Sequence, residues 1–250
     1  MIFKTHVYNF LTALLISLQR TDIQKSNSIV LKYFNRLTRN KFKTIYVLFH
    51  SLSYNKIFSA YEIETVNESD LLCKLILEEF PEKNLTILDI GCGIGGYHKK
   101  WIEQHNSSST LLLMDNSEFN ARALSYGHGN SDRYYNSLFL TRNYLNNDYS
   151  SKVKVVPIEI KKEYPGKIPN HLDLIVSFIS WGFHYSLEDY WSTITKKMSL
   201  NSSIILVDIR KNSQSYSFLK EQANFSLEIV SSNSKYDRML IRKTGELIEV

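Results

Sequence analysis

One stretch, Ile87-Leu-Asp-Ile-Gly-Cys-Gly-Ile-Gly-Gly96, constrains this chain more than any other. A strand-like apolar run enters glycines at 91, 93, 95 and 96, and a helical pattern follows over 97–105. Glycine accepts positive φ and lets a backbone approach a ligand closely, while the start of a helix offers free N–H donors. A strand, a glycine turn and a helix in this order form the opening unit of an α/β fold that binds its ligand at the strand ends. The spacing alone leaves the ligand open. Gly91, Gly93 and Gly96 satisfy the GxGxxG pattern of nicotinamide-binding folds, and Asp115 follows at about the 20-residue distance that pattern requires.

From residue 71 onward the chain alternates strand and helix patterns in the way that builds a mostly parallel sheet. Strands are expected at 85–90, 110–114, 153–158, 172–178 and 203–209, each a short β-branched or leucine-rich run suited to burial on both faces. Helices are expected at 97–105, 135–145 and 187–198, and the pattern changes after 211–224. Ser186 and Asp189 make a capping-box-like start to the third of these. Two strands, 226–231 and 236–242, then flank Ser232-Asn-Ser-Lys235 as a hairpin, which places one antiparallel strand in the sheet.

Asp89 narrows the ligand. A carboxylate just ahead of the first glycine repels a dinucleotide phosphate but favours a ligand with a cationic amine and a sulfonium, as in S-adenosyl-L-methionine. Leu88-Asp-Ile-Gly-Cys-Gly-Ile-Gly95 resembles motif I of class I S-adenosylmethionine-dependent methyltransferases, and the resemblance runs over 71–242. The terminal hairpin agrees with it, since a reversed last strand belongs to the methyltransferase pattern. The resemblance implies a Rossmann-like α/β sheet whose glycine loop (Asp89, Gly91, Cys92, Gly93, Gly95) wraps the methionine part of the cofactor. Asp115 matches the acid that grips the two ribose hydroxyls, with Asn116 beside it; a carboxylate can accept two hydrogen bonds from a vicinal diol. Pro157-Ile158-Glu159 falls where the family contacts adenine, without the usual Asp, and Ser177 stands at the end of the fourth strand. Read only as a strand–helix turn, the glycine stretch would leave Asp89 and Asp115 unexplained.

The acceptor is expected beyond the fourth strand, in Ser177-Phe-Ile-Ser-Trp-Gly-Phe-His-Tyr185, because open α/β sheets bind ligands past their carboxyl ends. Trp181, Phe183 and Tyr185 are candidate pocket walls. His184 is the candidate general base, since a neutral imidazole can take an alcohol proton near pH 7. His98 and His128 have weaker claims. This segment, with Leu113-Met-Asp115 and Tyr134-Tyr-Asn-Ser137, resembles bacterial proteins assigned as sugar O-methyltransferases and related small-molecule enzymes. No Asn/Asp-Pro-Pro-Tyr/Phe sequence occurs and no cysteine follows the fourth strand, which argues against amine and pyrimidine C5 methylation. Ser177 replaces the acid of metal-dependent catechol-type enzymes, so no metal is expected.

Charge is unevenly spread. Residues 1–61 hold nine Lys and Arg (Lys4, Arg20, Lys25, Lys32, Arg36, Arg39, Lys41, Lys43, Lys56) against Asp22, a net +8, leaving 62–250 at −3 of the chain's +5. The expected organisation is a basic helical extension over 1–65 and a methyltransferase domain over 66–250. Such an arm attracts phosphates, nucleic acid or anionic lipid, or is simply a solvated helix face. A small-molecule acceptor, anionic or neutral, is therefore weighed against RNA or protein, and against a non-catalytic partner subunit. The apolar stretch Tyr8-Asn-Phe-Leu-Thr-Ala-Leu-Leu-Ile-Ser-Leu18 is about half the ~20 residues of a spanning helix and is interrupted by polar residues. It reads as an amphipathic helix without a transmembrane span. Cys73 and Cys92 have no CxxC partner, which fits a reducing cytoplasm.

Overall fold

The computed structural model describes residues 2–19, 53–81, 83–105, 107–117, 136–146, 152–199 and 202–244. Arg20, Lys25, Lys32, Arg36, Arg39, Lys41, Lys43, His128, Tyr134 and Tyr135 lie outside these, so most of the basic arm does too. The chain divides into two compact units: a helical one of 1–81, 93–105 and 116–150, and a sheet one of 82–92, 106–115 and 151–250.

The sheet unit holds strands β1 (Thr86–Ile90), β2 (Ser109–Asp115), β3 (Val153–Glu159), β4 (Leu174–Ser177), β5 (Ile204–Arg210), β6 (Phe225–Ser232) and β7 (Tyr236–Lys243). Their order is β3-β2-β1-β4-β5-β7-β6. β1 to β5 pair in parallel, and β7 runs antiparallel to both β5 and β6. This is the expected mostly parallel sheet with one reversed strand, set there by the hairpin. Leu88, Ile90, Leu112, Met114, Ile175, Ile205, Val207 and Met239 pack into one hydrophobic core on one sheet face, with Trp181, Trp191 and Leu219 over them. Ile87, Leu111, Leu113, Leu174, Val176 and Leu206 alternate with these and are equally buried. Burial on both faces is why these strands read as continuous apolar runs.

The expected helix at 187–198 of the sheet unit is shorter than its sequence pattern. Within 211–224 the helix is Gln214–Lys220: Asn212 turns the chain at φ 58 and the Ser213 side chain caps by accepting Tyr216 N–H. Glu188–Thr195 begins after Leu187, not Ser186. The capping box is thus corrected: Ser186 Oγ accepts Glu188 N–H at 3.3 Å and donates to that residue's carboxylate at 3.0 Å.

The helical unit comprises α1 (Ile2–Gln19), α2 (Tyr54–Glu64), α3 (Val66–Glu79), a 3-10 turn (Gly96–His98), α4 (Lys99–Gln104) and α5 (Leu138–Asn146). In α1, Ala13, Leu14, Leu15 and Ile16 are buried, and Tyr8 meets Phe139 of α5 edge-on at 5.5 Å. Among the described residues no helix is long and apolar enough to cross a membrane. Both cysteines are free and buried. Cys73 donates to Gln104 across α3 and α4, and burial raises its thiol pKa.

Candidate functional site

The sheet order puts the carboxyl ends of β2, β1 and β4 side by side, and most of the residues marked out in the sequence stand there. Asp89 lies opposite Leu113 of β2 and Val176 of β4 and is fully buried. Leu88 and Ile90 point into the core, so the pleat turns Asp89 to the opposite face. Gly91 continues the ladder by donating to Met114 O at 2.7 Å. Asp115, half-buried, ends β2 opposite Glu159 of β3, and Cys92 Sγ lies 4.0 Å from its Oδ2. The glycine turn thereby brings Cys92 beside the acid 23 positions on.

Gly91, Gly93 and Gly95 all adopt positive φ, at 71°, 53° and 64°. Gly91 is doubly constrained, because a Cβ there would fall 1.8 Å from Ser180 Oγ. Gly93, Gly95 and Asn116 belong to the helical unit. There the Gly93 carbonyl accepts the Thr141 hydroxyl of α5 at 2.8 Å, and Asn116 is buried. Gly96 needs no unusual φ but lies against the Tyr61 ring, 2.4 Å from where a Cβ would stand. Tyr61, on α2, accepts Gly96 N–H at 3.3 Å, a contact the sequence spacing does not announce. A cavity of about 310 Å³ in this unit is lined by Glu62, Ser69, Asp70, Gly96, Lys99 and Lys100. Ion pairs Lys99–Glu62 and Lys100–Asp70 join groups on its walls.

Three expected contacts are corrected. Trp181 is a core residue and not a pocket wall: it is fully buried, its indole N–H is spent on Leu187 O at 3.0 Å, and its ring packs near Tyr190 and Trp191. The Ile158 side chain is likewise in the core, leaving only its backbone for a ligand. Ser177 is fully buried; its hydroxyl donates to Ile90 O at 2.7 Å and accepts Trp181 N–H at 2.9 Å, tying β1 to the loop after β4. His98 is also buried, with Nδ1 accepting the Trp101 indole N–H at 2.8 Å, so it is a structural histidine. Among the described residues no three His, Cys, Asp or Glu side chains are grouped to hold a metal.

The loop after β4 is organised by Ser180. Its carbonyl accepts N–H groups from Phe183, His184 and Tyr185, and Gly182 O accepts Arg210 N–H at the end of β5. Ile179 adopts φ 56, strained for a β-branched residue. His184 is exposed by area, with its ring edge-on to Phe183 at 4.9 Å; Phe183 and Tyr185 are half-buried. Local desolvation, and then the positive charge of Arg210, hold the His184 pKa below the usual histidine range. The ring is therefore neutral near pH 7, the form a proton acceptor needs. Ser180 and Arg210 escape a sequence reading, because a serine in a loop and an arginine after a strand carry no signal of their own.

No family model matches the chain, and no curated protein matches it. Solved structures similar to it include a Methanococcus maripaludis protein assigned as an S-adenosyl-L-methionine-dependent methyltransferase, at 16% identity, covering 78% of this chain and 93% of that one (TM-score 0.49). The ribosomal protein L11 methylase of Lactobacillus delbrueckii subsp. bulgaricus is similar at 16% identity, over 71% and 79% of the two chains (TM-score 0.45). The magnesium protoporphyrin IX methyltransferase of Synechocystis, solved with S-adenosylmethionine bound, is similar at 11% identity over 72% and 79% (TM-score 0.45).

Proposed function

We propose that this chain is an S-adenosyl-L-methionine-dependent methyltransferase that methylates a hydroxyl of a sugar or similar small molecule. One observation carries the reading: Gly91 turns left-handed at the end of β1, with one acid, Asp89, buried before it and another, Asp115, half-exposed at the neighbouring strand end. The donor set suits the cofactor. Asp115 can accept both hydrogens of a ribose diol, and the negative charge of Asp89 favours a cationic ligand at the turn. Bound there, the cofactor supplies an electrophilic methyl group on a sulfonium. What the chain itself contributes is position, since holding an acceptor oxygen near 3–3.5 Å from its target and in line supplies much of such a reaction's acceleration. His184 takes the hydroxyl proton. Its lowered pKa supports that role, as does its place in a loop fixed by the Ser180 carbonyl.

Calorimetry tests the cofactor first. S-adenosyl-L-methionine should bind with release of heat, and absence of binding at millimolar ligand overturns the reading. Asp115→Ala should weaken binding by at least about a hundredfold, the loss of two charge-assisted hydrogen bonds at roughly 1.5–3 kcal/mol each. Turnover unchanged in His184→Ala would remove it as the base.

A further inference from the structure

We propose that Arg210, stacked on Phe183 beside His184, is the docking point for a phosphate group on the acceptor molecule. The proposal rests on the methyltransferase reading and adds a substrate class to it. Arg210 is the last residue of β5, exposed at the carboxyl edge of the sheet, where open α/β folds take their ligands. Its guanidinium carbon lies 4.5 Å from the Phe183 ring centroid. Phe183 is held from two further sides, edge-on by Tyr236 at 5.8 Å and by His184 at 4.9 Å.

The backbone makes this arrangement rigid. Gly182 N–H donates to Tyr185 O at 2.8 Å, and Arg210 N–H donates to Gly182 O at 3.1 Å. At Gly182, φ is 87°, and a Cβ would come 2.6 Å from Ile209 Cδ1. The loop is therefore fastened to the end of β5 at the residue that carries the guanidinium. A stacked guanidinium presents its edge N–H groups outward, the geometry that grips a phosphate through two parallel hydrogen bonds.

The charge balance around it points to an anion. Two other basic side chains of this sheet edge are matched, Arg238 by a bidentate pair with Asp208 and Lys211 by Asp237, whereas Lys235, next to the register partner of Arg210, adds a further positive charge. Among the described residues the Arg210 guanidinium and the His184 ring make no hydrogen bond or ion pair. Two groups able to carry positive charge are thus brought together with no carboxylate bonded to either; local desolvation first, and then the Arg210 charge, keep the His184 ring in its neutral form. A phosphate ester held by the Arg210 guanidinium fills this uncompensated positive edge and leaves the imidazole of His184 to the acceptor hydroxyl.

The imidazole C2–H signal of His184, assigned with His184→Gln, gives a direct readout in the full chain. Inorganic phosphate titrated at constant ionic strength should shift this signal saturably and raise its titration midpoint, because a bound anion favours the imidazolium. In Arg210→Gln the phosphate affinity should fall at least about tenfold, the loss of a charge-assisted contact. The midpoint without phosphate should rise, as one repulsive charge is gone. Arg210→Lys should give an intermediate affinity, since it keeps the charge and loses the fork. No saturable shift, an unchanged response in Arg210→Gln, or equal saturation by acetate would each overturn the proposal. Calorimetry with S-adenosyl-L-methionine on the same samples separates the two ideas. Cofactor binding without a phosphate response sinks the docking point alone, and a phosphate response without cofactor binding sinks the methyltransferase reading.

Discussion

Gly91 and Ser180 are the pair on which the end of β1 depends. At φ 71 an alanine in place of Gly91 would be strained by about 1–2 kcal/mol, and its Cβ would overlap the Ser180 side chain. Gly91→Ala should therefore lose about 2–4 kcal/mol in urea unfolding. In the double variant with Ser180→Gly the losses should fall short of additive by about 1–2 kcal/mol. Strict additivity would show that the contact with Ser180 does not set the glycine requirement. His184 makes a second prediction at this scale. A base with a lowered pKa keeps its neutral form into mild acid, so kcat/KM should hold below the pH of about 6.5 at which an ordinary histidine titrates. Arg210→Gln should move the acid limb of that profile upward.

Among the strands, the reversed β7 is fixed to β5 by a buried ion pair at one register position, Asp208 opposite Arg238, with contacts of 2.7 and 3.0 Å. Removing one partner leaves the other buried and charged, so Asp208→Ala should cost about 3–5 kcal/mol, whereas Asp208→Leu with Arg238→Met should recover most of it. A second pin lies at the amino ends of the strands, where Asp173 accepts Lys83 Nζ, Thr86 N–H and His171 Nε2. Burial alone would raise its pKa, but Lys83, Thr86 and His171 together lower it. Its contribution is complete above the unfolded carboxylate pKa of about 3.9 and is lost as pH falls through the lower folded value. In Asp173→Asn, acid unfolding below pH 4 should lose that component. These pins were hidden in the sequence, where Asp173, Asp208 and Arg238 are isolated charges; only strand pairing brings each to its partner. The strands and the hairpin were legible, because burial on both faces writes itself as apolar runs and the turn as a polar gap. The glycine turn and its acids were legible for the same local reason. Trp181 misled because an aromatic in a loop looks exposed until a neighbouring carbonyl and ring are found to bury it.

For the whole molecule, the open choice of acceptor comes down to where positive charge sits. The basic 1–61 stretch carries +8, yet the one site argued from geometry, at Arg210, engages a single phosphate. Salt distinguishes these by slope. For single-stranded nucleic acid log K falls with log salt by about 0.7 per neutralised phosphate, so six contacts would cost roughly 300-fold between 50 and 200 mM salt. One contact would cost only about threefold over the same range. If the acceptor is a small phosphorylated molecule, inorganic phosphate should show the shallow dependence. A single-stranded RNA oligonucleotide should then bind no tighter than roughly 10⁻⁶ M at physiological salt, the non-specific range. A steep slope with tight RNA binding would transfer the acceptor role to RNA and make the basic stretch its holder. Arg210→Gln adds the deciding comparison: it should weaken phosphate binding at least about tenfold, while RNA held by the +8 stretch of 1–61 would hardly register the loss of a charge outside it.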